Sequence, residues 1–398
     1  MQTTALIVFW LLWGYAIFFT LLLLVFSVAG CFRPRDRFAP AHHSRLAVLI
    51  PAYKEDQVIV ATVADALQQT YPRDQFDVVV IADSLQPATL ESLRETAARL
   101  IPVQFAESTK AKAINRALEL LPEKKYDGVV ILDGDNLMAP DFLQKVNDAL
   151  AVGHLIVQGH RKAKNLNTPL AVLDAISEEI NNHIFRRGHR VLGLSAALIG
   201  SGMAFEYAYY KKLMHKITAV GGFDKEIELE ALKSGHKIIY LDEAALFDEK
   251  VDTAENFTRQ RKRWLAAQGH YFRRYFLDAL AAFFTRGKVD YFNKALQMVQ
   301  PPRILLAGLL FLMTLLSPLT ANPALFRASA AGLVLCITAL LLAIPRSFYT
   351  LQSLRALTAV PRGFVLMLTA LIQSKGANKR FLHTEHKHVS RSLTKSGS

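Results

Sequence analysis

The chain has 398 residues, 52% of them hydrophobic and 20% charged, and a mean hydropathy of +0.20, high for a protein that faces only water. Lysine and arginine number 47 against 34 acidic residues, a formal charge of +13 that suits anionic lipid or phosphate-bearing ligands and does not by itself exclude nucleic acid. Its two cysteines, Cys31 and Cys336, lie in or beside apolar runs, which excludes a disulfide framework and fits a reducing compartment.

From Met1 to Phe32 no side chain is charged. The run exceeds the roughly 20 apolar residues that cross a bilayer as a helix, so residues 1–32 are predicted to form a transmembrane helix. A secretory leader would begin with Lys or Arg and carry a shorter apolar core. Here the basic residues Arg33, Arg35, Arg37 and Arg45 follow the run, which places the N-terminus outside and the next segment in the cytoplasm.

Residues 45–250 read as one domain in which strand and helix alternate. The bursts RLAVLIPAY (45–53), FDVVVIADS (76–84) and YDGVVILDGD (126–135) are predicted strands, buried on both faces and ending in polar residues. Between them DQVIVATVADALQQ (56–69), ATLESLRETAARL (88–100) and TKAKAINRALELL (109–121) carry apolar positions at helical spacing. The alternation predicts an α/β fold with a mostly parallel central sheet, whose ligands sit at the carboxyl ends of the strands. Those ends carry Tyr53 with Glu55, then Asp83, then Asp133 with Asp135. Neither GxGxxG nor GxxxxGK[ST] occurs, so the nucleotide folds marked by those loops are excluded.

A lone Asp at a strand end is often a turn former or helix cap. The pair around Gly134 is harder to explain that way. Alternate residues of an extended strand face apart, so both carboxylates reach one site only if the chain turns at the glycine. Two carboxylates so placed suit a hard divalent cation, Mg²⁺ or Mn²⁺, shared with the phosphates of a substrate.

Further along, TRQRKRWLAAQGHYFRRYFLDALAAFF (258–284) mixes aromatic and basic residues at helical spacing. Residues 251–302 are therefore predicted as helices along the inner membrane surface, with a helix covering the soluble core as the alternative. Two apolar runs within 303–345, at 303–320 and 327–344, form a transmembrane hairpin that crosses outward and returns. FVLMLTALI (364–372) is too short to span and reads as interfacial or re-entrant. It lies in a basic tail, 346–398, that carries Arg346, Arg355, Arg362, Lys375, Lys379 and Arg380. Three spans then agree on a multi-pass protein of the plasma (inner) membrane with its α/β domain and tail cytoplasmic.

The segments IPAYKED (50–56), IADS (81–84), KAKAIN (110–115), LDGDN (132–136), GSGMAF (200–205) and QRKRW (260–264) occur in that order. As a set they resemble the motifs of the membrane-embedded family 2 glycosyltransferases, which include the cellulose, hyaluronan, chitin and poly-N-acetylglucosamine synthases of bacterial type. Lys54 stands where that family usually has Asn, and Gln260, Arg263 and Trp264 match its QxxRW. The resemblance runs from about Ala47 to Phe272.

It implies a GT-A fold and a single in-line displacement at the anomeric carbon of a UDP-sugar, with inversion. By the same resemblance Asp133 and Asp135 hold the metal. Ala52, Tyr53, Glu55, Asp83, Lys110, Asp133, Gln260, Arg263 and Trp264 line the donor, while Gly200, Ser201, Gly202 and Trp264 face the acceptor. The family's Thr-Glu-Asp is absent; counting back from Gly235 in its frame reaches Asp224 as the base, with Glu226 and Glu228 as alternatives. His183, Arg186, Arg187 and His189 contact either phosphate or acceptor, or serve the surface.

The implied partners are a UDP-sugar, a saccharide or lipid-linked acceptor, membrane lipids and a second copy or an export partner, with no nucleic acid. QxxRW favours extension of a polysaccharide over a single transfer to a lipid-linked acceptor. A basic membrane scaffold that merely retains the α/β domain is the non-enzymatic alternative.

Overall fold

The computed structural model describes residues 2–36, 38–320, 322–374 and 376; Arg37, Lys375, Lys379 and Arg380 of the basic flanks lie outside the described residues. An apolar helix, α1 (Gln2–Gly30), leads to β1 (Leu46–Tyr53), α2 (Ile59–Ala66), β2 (Phe76–Asp83), α3 (Pro87–Arg94), β3 (Arg99–Val103), α4 (Lys110–Leu120) and β4 (Gly128–Ile131). Next come β5 (Leu137–Met138), α5 (Phe142–Ala151), β6 (Ile156–Ala163), α6 (Pro169–Asn181), a π-helix (Asn182–Gly188), the short α7 (His189–Val191), β7 (Met203–Glu206), α8 (Tyr207–Met214), α9 (Phe223–Lys233) and β8 (Ile239–Asp248). The chain ends in a long helix α10 (Ala254–Arg286), then α11 (Val289–Gln297), α12 (Arg303–Leu316), α13 (Pro323–Ala343), α14 (Leu351–Ala356) and α15 (Val360–Ile372).

The strands form one eight-stranded sheet in the order β3-β2-β1-β4-β7-β6-β8-β5. The run β3-β2-β1-β4 is parallel, as the alternating pattern predicts; β7 reverses against both β4 and β6, and β8 runs parallel to β6. The apolar bursts are covered on both faces: Ala47, Leu49, Val79, Ile81, Val129 and Ile131 face one core, while Leu46, Val48, Val78, Val80 and Val130 face the other. One predicted helix is shorter than expected. The 88–100 pattern ends at Arg94, and Arg99–Val103 instead pairs with β2 as the edge strand β3. Only Ile101 of that strand is buried and Pro102 lacks an N–H, so it carries little periodic signal and tolerates an edge position only.

Helices α1, α12 and α13 share a third core with α6. Phe19, Leu23 and Phe26 meet Leu306, Leu310, Cys336 and Ala339, together with Val172, Ile176 and Ile180. Among the described residues four helical stretches are long and apolar enough to cross a membrane: Leu6–Gly30, Arg303–Thr320, Pro323–Ala343 and Leu351–Ile372. The last corrects the length inferred for 364–372. The helical stretch starts at Leu351 and reaches 22 residues, since Arg355 and Arg362 interrupt the apolar run without ending the helix.

The π-helix docks the α/β domain on the end of α1. A Cβ at Gly188 would stand 2.2 Å from the Phe26 carbonyl oxygen, so only glycine permits this approach. His189 stacks on Phe26 with ring centroids 3.8 Å apart, and His183 Nε2 lies 2.8 Å from the Ser27 carbonyl. Burial pushes the His189 imidazole down to about 3, so it packs as a neutral ring. Arg186 is 1% exposed and ion-paired to Glu178 at 3.0 Å, and Arg187 pairs with Asp242. His183 and His189 therefore contact the end of α1, while Arg186 and Arg187 form ion pairs within the α/β domain.

Beside them, burial pulls His160 down, but the facing carboxylates of Asp242 (3.3 Å) and Glu179 (3.0 Å) outweigh it and raise the imidazole to about 9. A folded-state value above the unfolded 6.5 gives stabilisation that is complete below about pH 6.5 and lost as pH rises through 9. Thermal melts from pH 6.5 to 9.5 are expected to show a loss of ~1–3 kcal/mol that His160→Gln removes from the pH profile; an equal loss in the variant would contradict the assignment.

Candidate active site

The parallel register aligns Tyr53 at the end of β1 with Asp83 at the end of β2. Each strand exits through a left-handed residue, Lys54 (φ 57°) and Ser84 (φ 60°), and the Lys54 N–H donates to the Asp83 carbonyl at 3.1 Å. Lys54 thus occupies the conformation that Asn adopts far more readily, which explains the usual residue at this motif position. Asp83 is 2% exposed and its Oδ1 accepts from Ser84 Oγ at 2.9 Å. Ala52 is buried in the core beneath the rim, so its methyl does not line a ligand cleft.

β4 enters the same rim. The Leu132 N–H donates to the Leu49 carbonyl at 3.0 Å, and the Asp133–Asp135 loop follows. Space is tight at Gly134: a Cβ would stand 3.1 Å from Glu55 Cγ, and the backbone does not take a positive φ. Glu55 therefore lies across the loop, and the chain turns at this glycine as expected, the Asn136 N–H donating to the Asp133 carbonyl at 3.1 Å.

Lys110 opens α4, whose first turn is capped by the Thr109 side chain. Its ammonium pairs with Asp133 Oδ1, donates to the Gly200 carbonyl at 2.6 Å, and lies 4.8 Å from the Phe223 ring centroid. Gly200 (φ 83°) sits so close to Asp224 that an added Cβ would be 3.8 Å from the Asp224 Cβ. The structure thus brings Asp133, Lys110, Gly200 and Asp224 together from four separate segments. Burial and the neighbouring Asp135 and Asp248 raise the Asp133 carboxyl, while Lys110 pulls it down.

Asp224 stands in the first turn of α9 with Lys225 Nζ 3.4 Å away. The two alternatives are engaged elsewhere. Glu226 is fully buried, paired with Arg274 at 2.6 Å and accepting the Thr218 N–H at 3.1 Å. Glu228, equally buried, pairs with Lys294 at 2.6 Å. Ser201 and Gly202 turn inward. The Ser201 hydroxyl, 0% exposed, accepts the Asp133 N–H at 2.9 Å, and a Cβ at Gly202 would strike Leu246 at 2.5 Å. Of the three predicted acceptor residues of this loop, only Gly200 presents an atom to the Lys110 and Asp224 cluster.

The QRKRW segment lies in the first half of α10. Arg261, outside the motif's fixed positions, pairs with Asp174 of α6 and stacks over Trp264 at 4.1 Å. One indole face is thereby covered, although the ring remains 41% exposed. Burial, then Arg259, lowers the Arg263 guanidinium from its usual value. The Gln260 side-chain oxygen is buried and has no hydrogen-bond donor among the described residues. The other face of α10, through Ala267, Tyr271 and Tyr275, joins the core of the α/β domain, so this helix covers the domain as the alternative reading had it. Tyr271 Oη donates to the Gly221 carbonyl at 3.0 Å, tying α10 to the loop that leads to Asp224. A cleft of about 610 Å³ opens beside the rim between Tyr53, Thr109, Lys112 and Thr218.

Among the described residues no three His, Cys, Asp or Glu side chains form a ready-made metal cage. Two adjacent carboxylates still fit a hard ion that takes its remaining oxygens from phosphate and water. Asn136, which closes the LDGDN segment, and Asp248, Lys164 and Asp174, which lie outside the motif segments, complete the polar surroundings; their long-range contacts leave no signal in local spacing.

The sheet order, the acidic rim and the helix covering it are those of a GT-A glycosyltransferase domain. A sequence profile described as "Glycosyltransferase like family 2" matches residues 43–267, more than half of the chain, so the chain belongs to glycosyltransferase family 2. Among solved structures it is similar to the mannosyltransferase PcManGT of Pyrobaculum calidifontis in complex with GDP-Man and Mn²⁺, at 19% identity over 92% of this chain and 96% of that one, with a TM-score of 0.55. It also matches glucosyl-3-phosphoglycerate synthase of Mycobacterium tuberculosis with Mn²⁺, UDP-glucose and phosphoglyceric acid (17% identity, 60% and 80% covered, TM-score 0.40). A third match is TarS 1–349 of S. aureus with UDP-GlcNAc (16%, 74% and 90%, TM-score 0.38). No curated protein sequence matches the chain.

Lys54→Asn is expected to relieve the left-handed strain and raise stability by about 0.5–1 kcal/mol. Thermal unfolding of the purified protein checks this, and an unchanged or lowered midpoint would show that Lys54 is not strained.

Proposed function

We propose that this protein is an inverting, metal-dependent hexosyltransferase that moves a sugar from a UDP-sugar to a growing cell-surface or extracellular polysaccharide at the cytoplasmic face of the inner membrane. The observation that carries the reading is the convergence of Asp133, Lys110, Gly200 and Asp224 at one end of the parallel strands. Asp224 is the base: it accepts the acceptor hydroxyl's proton as that oxygen attacks the anomeric carbon and the nucleoside diphosphate leaves. Glu226 and Glu228 are unsuited because each is buried in an ion pair.

A Mg²⁺ or Mn²⁺ on Asp133 and Asp135 would neutralise diphosphate oxygens and so stabilise the leaving group. Tyr53, Glu55 and Asp83 hold the nucleoside end, and Lys110 and Arg263 add positive charge for the phosphates. Gln260 supplies a buried acceptor oxygen on the same helix as Arg263, and Trp264 offers its uncovered face to the acceptor sugar.

Residues 45–250 form the catalytic domain in this reading, 251–302 its interfacial cover, and 1–32 and 303–345 the membrane spans. The second reading, a single transfer to a lipid or lipid-linked acceptor, is favoured by the small number of apolar helices, four stretches among the described residues. So few helices leave little to enclose a channel without a second copy or an export partner.

Asp224→Asn is expected to lower turnover at least about 100-fold while UDP-sugar still shifts the melting temperature. Asp135→Asn is expected to abolish both turnover and the ion-dependent part of that shift. UDP release and melting curves of protein in detergent read these outcomes, and turnover retained in both variants would remove the assignment. Gel separation of products from labelled UDP-sugar distinguishes the two acceptors: a ladder marks chain extension, a single added sugar the second reading.

A further inference from the structure

Asn136 follows the aspartate pair at the end of the LDGDN segment and is fully buried, and the resemblance assigns it no role. Its Nδ2 donates to Asp135 Oδ1 at 2.9 Å and to Asp248 Oδ1 at 3.2 Å. Its Oδ1 accepts from Ser201 Oγ at 2.6 Å, and that hydroxyl in turn accepts the Asp133 N–H at 2.9 Å. One amide thereby fixes the Asp135 side chain directly and the Asp133 backbone through a single intermediary. Carboxylates only accept and the hydroxyl here donates, so the site requires two N–H donors and one acceptor oxygen on the same side chain. No other residue of this size has both. Aspartate at this position would set a third carboxylate between two others in a buried place.

Asp248 carries the constraint further. Its Oδ2 accepts from Lys250 Nζ at 2.8 Å and lies 3.8 Å from Arg161 Nε. Burial opposes its ionisation, but Arg161 and Lys250 outweigh that and hold it down at about 2. Arg161 also bonds Glu178 of α6 at 2.8 Å, and Glu178 accepts from Arg186 of the π-helix at 3.0 Å. These two elements pack on α1, so a continuous buried chain of polar contacts runs from the membrane-helix layer to the aspartate loop.

We infer that Asn136 is a positioning residue for the Asp133–Asp135 pair and that Asp248 is its anchor, so that the geometry offered to the ion is set through α6 and the π-helix. The inference rests on the ion-binding role proposed for that pair. The test measures Mn²⁺ binding to the full-length protein in detergent, in the presence of UDP, from the EPR signal of free Mn²⁺, alongside the melting temperature. Asn136→Asp is expected to weaken Mn²⁺ binding about tenfold or more and to lower the melting temperature. The double variant Asn136→Asp, Asp248→Asn restores the donor–acceptor match between the two positions and the net charge, but leaves Asp135 Oδ1 facing an oxygen. Its melting temperature is expected to rise above that of Asn136→Asp but to stay below wild type, because the amide at 248 no longer ion-pairs with Lys250 and Arg161, while Mn²⁺ binding stays about tenfold weak.

Recovery of both quantities in the double variant would reduce Asn136 to a structural residue and overturn the inference. So would wild-type Mn²⁺ binding by a folded Asn136→Asp. Should that single variant fail to fold, the double variant alone decides. Asp135→Asn serves as the reference: loss of Mn²⁺ binding there upholds the ion site independently of Asn136, whereas wild-type binding there would sink the ion site itself.

Discussion

Asp135 and Asp248, largely buried, and Asp133, a third exposed, bring negative charge to one corner of the sheet. Two such charges 4 Å apart repel by about 4 kcal/mol at an effective dielectric of 20, comparable to a good part of a domain's net stability. The fold answers with cations on both flanks: Lys110 meets Asp133 from the start of α4, and Lys250 with Arg161 meets Asp248 from the end of β8 and from β6. Asn136 stands between, neutral and able to donate to two carboxylates at once. Removing one member of so buried a set leaves an unpaired charge and costs roughly 3–5 kcal/mol, which ties the site to the sheet that carries it. The strand order allows this: the aspartate loop that follows β4 runs into β5, which pairs with β8 and so brings Asp248 to Asn136.

The same logic joins the site to the helical layer. α6 supplies Asp174 for Arg261, Glu178 for Arg161 and Arg186, and Ser177 and Asn181 for Arg303 at the start of α12. One helix therefore orders α10, the aspartate loop and the first turn of α12 along a single line. α10 in turn packs on the loop before Asp224, where a Cβ at Gly222 would lie 2.9 Å from the Ala267 methyl. A shift of α12 would therefore pull on α6 and the contacts that lead from it to the aspartate loop, and a shift of α10 on the loop before Asp224.

Much of this was readable in the sequence because the parallel strands are continuous apolar runs ending in acids, a pattern set by burial on both faces. The motif residues fall on the rim for that reason. What the pattern hid is of two kinds. β3 is short, on an edge and contains Pro102, so neither period emerges. Asn136, Asp248, Lys164 and Asp174 act through partners tens of residues away, and nothing in the spacing of a chain announces a contact between residues 136 and 248. Ser201 shows the converse: a motif position that points into the domain, because its hydroxyl is engaged by the aspartate loop.

The stretch Leu351–Ile372 has the length to cross a bilayer, yet its contacts argue for an interfacial course. Gln352 donates to the Leu166 carbonyl of the α/β domain at 2.8 Å. Phe364 lies against Gly308, so closely that a Cβ there would be 2.2 Å from the ring. Gly308 is only about 7.5 Å along α12 from Arg303, at 1.5 Å per residue, and Arg303 is bonded to α6. Both anchors of the stretch therefore sit at the domain end of the bundle. The residues beyond Phe364, up to Ile372, add about 12 Å of helix, well short of the ~30 Å hydrocarbon core. A 3₁₀ turn at Leu357–Ala359 separates α14 from α15, and α15 also lies along α10. Between the α/β domain and this stretch stand two helices of membrane-crossing length, α12 and α13, an even number that returns the chain to the domain end of the bundle.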